Sequence, residues 1–227
     1  MNNRINQLKK EWDDREKRLG QTKRAVLFKR FPAWLNNHIH KQHVRFVVQN
    51  IPQHANQLLD VGCGYGRISK EIKHHHPLLS FTGIELCTEF AAAYEREIGP
   101  CFNGAIQDFQ PNKHYDVIII VTLLMYLDGE EHQAIINKLW SILAPGGMMI
   151  CIEPAIEFLN LWRRLTRTQF ASPTGGSVYH FTQPELQGLF TQFDDAELKN
   201  SMSVHLLPFL RSTILHHGVA VSKVHSL

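Results

Sequence analysis

The stretch "LLDVGCGYGRIS", residues 58–69, decides how the chain is read. An apolar run ending in Asp60 and Val61 passes straight into Gly62, Gly64 and Gly66, and a segment able to form a helix follows. Glycine accepts positive φ and carries no Cβ, so a turn of this kind lets the backbone approach a ligand closely where a helix begins. The turn predicts a small polar ligand at the end of a buried strand. Its spacing narrows the choice. A dinucleotide fingerprint needs G-x-G-x-x-G or Ala, whereas here the pattern is G-x-G-x-G and the sixth position is Arg67. No Gly-Lys-Ser/Thr follows, which excludes a P-loop.

Outward from the turn, short apolar runs alternate with amphipathic segments. Strands are predicted at 57–61, 80–84, 102–106, 116–121 and 147–153, with helices at 66–74, 88–97 and 129–143 between them. That alternation specifies a parallel sheet covered on both faces. Beyond it a helix is predicted at 184–193 and strands near 196–207 and 217–224. Upstream, residues 3–18 form a charged helix with a thin apolar stripe of Ile5, Leu8 and Trp12, ended by Gly20. A second helix follows Pro32, with Leu35, Ile39, Val44 and Val47 as its apolar positions. In an open α/β sheet, ligands bind beyond the carboxyl ends of the strands. Glu85 ends the second strand 23 residues after Gly62, about where an acidic side chain meets ribose hydroxyls in nucleotide-binding βαβ units.

Composition sets the outer bounds. A chain of 227 residues, 44% hydrophobic and 20% charged, supports one well-buried core. No apolar run approaches the ~20 residues of a membrane span. The first residues lack the apolar centre of an export signal, so a cytoplasmic location is expected. Cys63, Cys87, Cys101 and Cys151 show no CxxC pairing and are expected as reduced thiols, with no zinc site. The net charge of +3 conceals an asymmetry: residues 1–50 carry net +8 and the remainder net −5. A basic arm of this kind can meet phosphate, carboxylate or nucleic acid; a solvated helix face is the plainer reading. Two histidine groups, His40 with His43 and His74 to His76, suggest metal, but surface exposure and helix-dipole complement explain them and no metal is expected.

The segments "LLDVGCGYG", "GIEL", "IQDF" and "YDVIIIVTLLMYLDGEEHQAIINKLWSILAPGGMMICIEP" follow one another over roughly residues 57–154. In order and spacing this resembles the class I, Rossmann-like S-adenosylmethionine-dependent methyltransferases of the small-molecule type. The resemblance implies an α/β fold with a doubly wound, mostly parallel seven-stranded sheet whose last strand is antiparallel. It implies S-adenosyl-L-methionine as methyl donor and S-adenosyl-L-homocysteine as product. Residues 1–56 are then an N-terminal helical cap and 57–227 the Rossmann-like domain, with a substrate-side insertion at 154–183 after the fifth strand. Carried over by position, the resemblance places Asp60 and the backbone of Gly62, Cys63 and Gly64 around the methionine part. It puts Glu85 on the ribose and Leu86 against the adenine. Asp108 accepts from the adenine amino group while the Phe109 amide donates to the ring, and Val121 and Thr122 lie near the sulfonium.

Methyl transfer from a sulfonium is an in-line displacement in which alignment alone can supply about 7–11 kcal/mol. The 154–183 segment is too long for a plain connector. It contains Trp162, Arg163, Arg164, Phe170, Tyr179 and His180. His180 is the expected general base, with Tyr179 and Glu153 behind it; a packed histidine is the alternative. Trp12, Tyr126, Trp162, Arg163 and Arg164 are expected at the acceptor, the two arginines clamping an anionic one or standing as solvated helix charges. No Asn-Pro-Pro-Tyr or Asp-Pro-Pro-Tyr follows the fourth strand, which argues against enzymes that methylate the amino groups of bases or glutamine. That strand ends in Val121 and Thr122 rather than in an Asp, which argues against a catalytic magnesium. The expectation is methyl transfer to an oxygen or nitrogen nucleophile of a small molecule, with no membrane partner. RNA or protein methylation, or cofactor binding without catalysis, are the alternatives.

Overall fold

The computed structural model describes every residue except 1, 30, 112, 128, 167–177, 208–209 and 225–227, and of residues 2 and 162–166 the backbone alone. Seven strands form one sheet: β1 (Gln57–Val61), β2 (Ser80–Glu85), β3 (Cys101–Asn103), β4 (Tyr115–Val121), β5 (Leu143–Pro154), β6 (Ala196–His205) and β7 (Ile214–Lys223). Their order is β3-β2-β1-β4-β5-β7-β6. The first five run parallel, and β7 is antiparallel to both of its neighbours. This is the doubly wound, seven-stranded arrangement expected from the sequence, and its reversal of strand order falls between β1 and β4.

The helices are α1 (Asn2–Leu19), α2 (Lys23–Val26), α3 (Ala33–Asn50), α4 (Ser69–His75), α5 (Thr88–Glu97), α6 (Gly129–Ile142), α7 (Ile156–Thr166) and α8 (Gln183–Gly188). Central strands are apolar along their whole length because both faces are covered. On one face Leu59, Val61, Ile118 and Ile120 pack with Ile135, Ile136 and Leu139 of α6. On the other, Leu58, Val117, Ile119 and Ile150 pack with Phe46 and Val47 of α3 and Ile72 of α4. Helix α3 is therefore part of the core, so the region 1–56 divides: only α1 and α2 roof the carboxyl edge of the sheet.

Three expectations shift. Strand β3 stops at Asn103: the Gly104 amide makes the last ladder bond, to the Glu85 carbonyl, and residues 105–109 then coil into consecutive turns. Strand β5 begins at Leu143, so the "APGG" turn lies inside it and appears as a register shift opposite Tyr115 and Val117, with Gly146 at φ +77°. Within 154–183 the first part is helix α7, and α8 starts on a capping box in which Thr182 and Glu185 satisfy each other's amides. Phe170 lies outside the described residues.

Helix α1 is tied across the sheet edge along its length. Arg4 pairs with Glu131 at 2.8 Å and donates to the Tyr126 carbonyl at 2.5 Å. Lys9 donates to the Thr88 hydroxyl at 2.8 Å, and Asp13 accepts the Thr88 amide at 3.3 Å. Trp12 sets its ring edge-on to Tyr126, with centroids 5.5 Å apart.

Candidate functional site

The carboxyl ends of β1, β2 and β4 open beneath α1 into a cleft of about 740 Å³. A second hollow of about 540 Å³ shares Leu8, Gly62, Leu86, Leu123 and Tyr126 with it and continues past β3 to Ile106 and Gln107. At the floor, Gly62 and Gly64 adopt φ +71° and +54°. A Cβ on Gly62 would stand 3.1 Å from Leu123, and one on Gly64 3.3 Å from Val26, so side chains here would fill the cradle.

The amides of the turn are not offered to a ligand. Gly62 and Cys63 both donate to the Ile84 carbonyl, at 2.8 and 3.1 Å, and Gly64 donates to Glu85 Oε2 at 2.7 Å. A pyrophosphate needs free N–H groups aimed at it. With those groups spent and two carboxyl side chains alongside, the cleft suits a cationic ligand with hydroxyls instead. Gly62, Cys63 and Gly64 line the cleft beside Asp60, and there they make room rather than hydrogen bonds through these N–H groups.

Glu85 is buried, its other oxygen accepting the Cys87 amide at 2.8 Å. Burial raises its pKa while the amides around it pull the other way. Each carboxylate oxygen has a second lone pair for a hydroxyl in the cleft. Asp60 is buried too, accepting the Ser69 hydroxyl at 2.6 Å, and burial raises its pKa to about 7. Val121, Thr122 and Leu86 line the cleft, as do Trp12 and Tyr126. Thr122 has φ +57°, a strained conformation for a β-branched residue, and its amide is fixed to the Ile152 carbonyl at 2.7 Å.

Glu153 holds that strained wall. It is fully buried and accepts three successive amides, Leu123 at 3.0 Å, Leu124 at 2.8 Å and Met125 at 3.2 Å. Burial raises its pKa to about 8 against the pull of these donors. It faces the loop rather than the cleft, which corrects its expected place among the catalytic groups. Tyr179 and His180 also stand away from the lining. The Tyr179 amide donates to the Met125 carbonyl at 2.9 Å and its ring packs on His132 and Phe181. His180 Nδ1 lies 3.1 Å from the Val178 carbonyl. Residues 179–181 run along the end of β5, through a bridge between Ala155 and Phe181, so their side chains are directed by that pairing. The side chains of Trp162, Arg163 and Arg164 lie outside the described residues.

Two more expectations are corrected at the end of β3. Asp108 is exposed and absent from the lining, and Phe109 is in the core with its amide spent on the Ile106 carbonyl at 3.3 Å. Ala105, Ile106 and Gln107 line the hollow instead. His40 and His43, expected at the surface, are buried, 5% and 0% exposed, and face Arg67. Sequence reasoning missed Arg67, Leu123 and Phe90 as lining residues; the stripe of Ile5, Leu8 and Trp12 carried the one available signal for the roof. Among the described residues no three His, Cys, Asp or Glu converge as metal ligands.

A family model described as a methyltransferase domain matches residues 59–149. The tRNA N(3)-cytidine methyltransferase METTL2 of Gallus gallus is 28% identical over 166 residues, which is 63% of this chain and 44% of that protein. The trans-aconitate 2-methyltransferase of Streptomyces avermitilis is 28% identical over 113 residues, 45% of this chain and 40% of that protein. The chain thus spans under half the length of these curated relatives. The crystal structure of the plantazolicin methyltransferase BpumL, with a desmethylPZN analog and SAH, superimposes at a TM-score of 0.64 and 15% identity. That match covers 99% of this chain and 100% of the other. Residues 59–149 thus resemble a methyltransferase domain, and the chain as a whole shares the fold of the solved methyltransferase structures.

Proposed function

We propose that this protein transfers a methyl group from S-adenosylmethionine to an oxygen or nitrogen of a small molecule. The observation that carries this reading is the roof: α1 lies across the cleft, fixed at Arg4, Lys9 and Asp13, so that Leu8 and Trp12 close it from above. A covered cleft admits a compact acceptor and excludes water. When bound, the cofactor supplies an electrophilic methyl group on a sulfonium. Glu85 takes the ribose hydroxyls, Leu86 and the 105–107 turn take the adenine, and Asp60 faces the amino-acid end. Glu153 fixes the Thr122 wall so that the acceptor is aligned for attack, and alignment is the main contribution of this chain to the rate. Four free cysteines fit a reducing, cytoplasmic setting; no described helix is long and apolar enough to cross a membrane.

A second reading, an RNA acceptor, is favoured by the match to METTL2 and by the basic N-terminal region. The test is transfer of labelled methyl from the cofactor into a cell extract separated by size. Label in the small-molecule fraction supports the first reading. Label retained on RNA and lost on ribonuclease treatment overturns it in favour of the second.

A further inference from the structure

Arg67 follows the glycine turn, is 7% exposed and lines the cleft. Its Nη1 lies 3.3 Å from His40 Nδ1 and its Nη2 3.2 Å from His43 Nδ1. A guanidinium has only donors, so both ring nitrogens accept, and each neutral imidazole carries its proton on Nε2. His40 Nε2 then points to Glu71 Oε1 at 3.5 Å, which fixes that ring. His43 stacks edge-on against His216, with ring centroids 4.7 Å apart. Burial and the neighbouring guanidinium lower the pKa of His40 to about 4 and that of His43 well below its ordinary value, so both rings are neutral at physiological pH.

These rings orient Arg67 without answering its charge. Asp60 acts on it through space but gives its hydrogen bond to Ser69, and Glu85 is spent on the Gly64 and Cys87 amides. Arg67 keeps its proton, its pKa lowered by burial only to about 10. A buried cation with neutral partners is costly unless an anion completes it. A planar guanidinium opening on a cleft matches a carboxylate in particular.

We propose that Arg67, oriented by His40 and His43, is the carboxylate receptor of the cleft. The inference rests on the cofactor reading of the same site. Two sources can deliver that carboxylate: the amino-acid end of the cofactor, or the acceptor.

Calorimetry with S-adenosylhomocysteine and with 5′-methylthioadenosine, which lacks the amino-acid end, separates them in wild type and Arg67→Met. If the cofactor is the source, the variant binds S-adenosylhomocysteine at least ~10-fold more weakly and methylthioadenosine unchanged. If the acceptor is the source, both nucleosides bind as before, but succinate no longer raises the melting temperature of the S-adenosylhomocysteine-saturated variant as it does that of wild type. Equal weakening of both nucleosides assigns Arg67 a structural role and overturns the proposal, as does no change in any of the three measurements. Failure of wild type to bind either nucleoside overturns the cofactor reading itself. Should Arg67→Met not fold, Arg67→Lys keeps the charge but loses the two-pronged geometry and is read by the same three measurements. His43→Gln, which disturbs the orientation alone, is expected to give a smaller loss on the same ligand.

Discussion

The ends of β2 and β3 face one cleft, but they are built differently. At the end of β2, Glu85 is buried and tied to two amides, and Gly83 sits so close to the glycine turn that a Cβ there would stand 2.8 Å from Cys63 Sγ. At the end of β3 the strand has three residues, and the chain beyond it turns twice, leaving Asp108 in solvent. Groups at the first position are held from several sides; those at the second depend on where a short strand stops. A ligand contact built on close backbone packing tolerates little change, whereas one built on a turn can pass from one residue to its neighbour.

The sharpest way to break this comparison is Gly66→Ala. Gly66 has φ +80°, and an added Cβ would overlap the Ile98 side chain. Left-handed strain of ~1–2 kcal/mol and overpacking of about 1–3 kcal/mol together should lower thermal stability by several kcal/mol, read from chemical denaturation. Next, Glu85→Ala leaves the Gly64 and Cys87 amides without their acceptor and removes the proposed ribose contact. Its S-adenosylhomocysteine affinity should fall by about 100-fold, from roughly 3 kcal/mol of charged hydrogen bonding, and calorimetry measures it. An affinity within twofold of wild type would undo the assignment.

These positions also show what the sequence makes readable. Glycines at 62, 64 and 66 and an acid at 85 answer to backbone geometry, which has few solutions and so leaves a pattern. The seven strands are legible for the same reason: runs such as Val117–Val121 must be apolar throughout when both faces are covered. Asp108 was misplaced because no periodicity marks the end of a three-residue strand. Glu153 was misread because an acid at a strand end signals burial under three amides no differently from a group that faces substrate. Arg67 left no signal, since its partners His40 and His43 come from a helix more than twenty residues earlier.

Glu153→Gln sharpens the comparison on the acceptor side. The amide side chain keeps an oxygen for the Leu123 and Leu124 amides but turns a donor toward the Met125 N–H, and leaving that buried group unsatisfied should cost about 1–3 kcal/mol of stability. Asp60 gives a pH-dependent test. Its folded pKa is raised to about 7, so the folded state holds the proton more tightly than the unfolded chain. That contribution is fully present below about pH 4 and is lost as pH rises through 7, with a slope of roughly 1 kcal/mol per pH unit in between. Asp60→Asn should flatten that part of the stability curve, measured by denaturant midpoints across pH. The smallest effect is expected from Asp108→Ala: an exposed side chain outside the lining should leave S-adenosylhomocysteine affinity within about twofold. A large loss there would return the adenine contact to β3.

The strap formed by α1 has a kinetic consequence. Whatever enters or departs must pass a helix anchored partly by charged groups, Arg4 on Glu131 and Lys9 and Asp13 on Thr88. Such anchors weaken as ionic strength shortens the reach of charge. Residence of the spent nucleoside should therefore shorten in concentrated salt even while the glycine floor beneath it stays rigid.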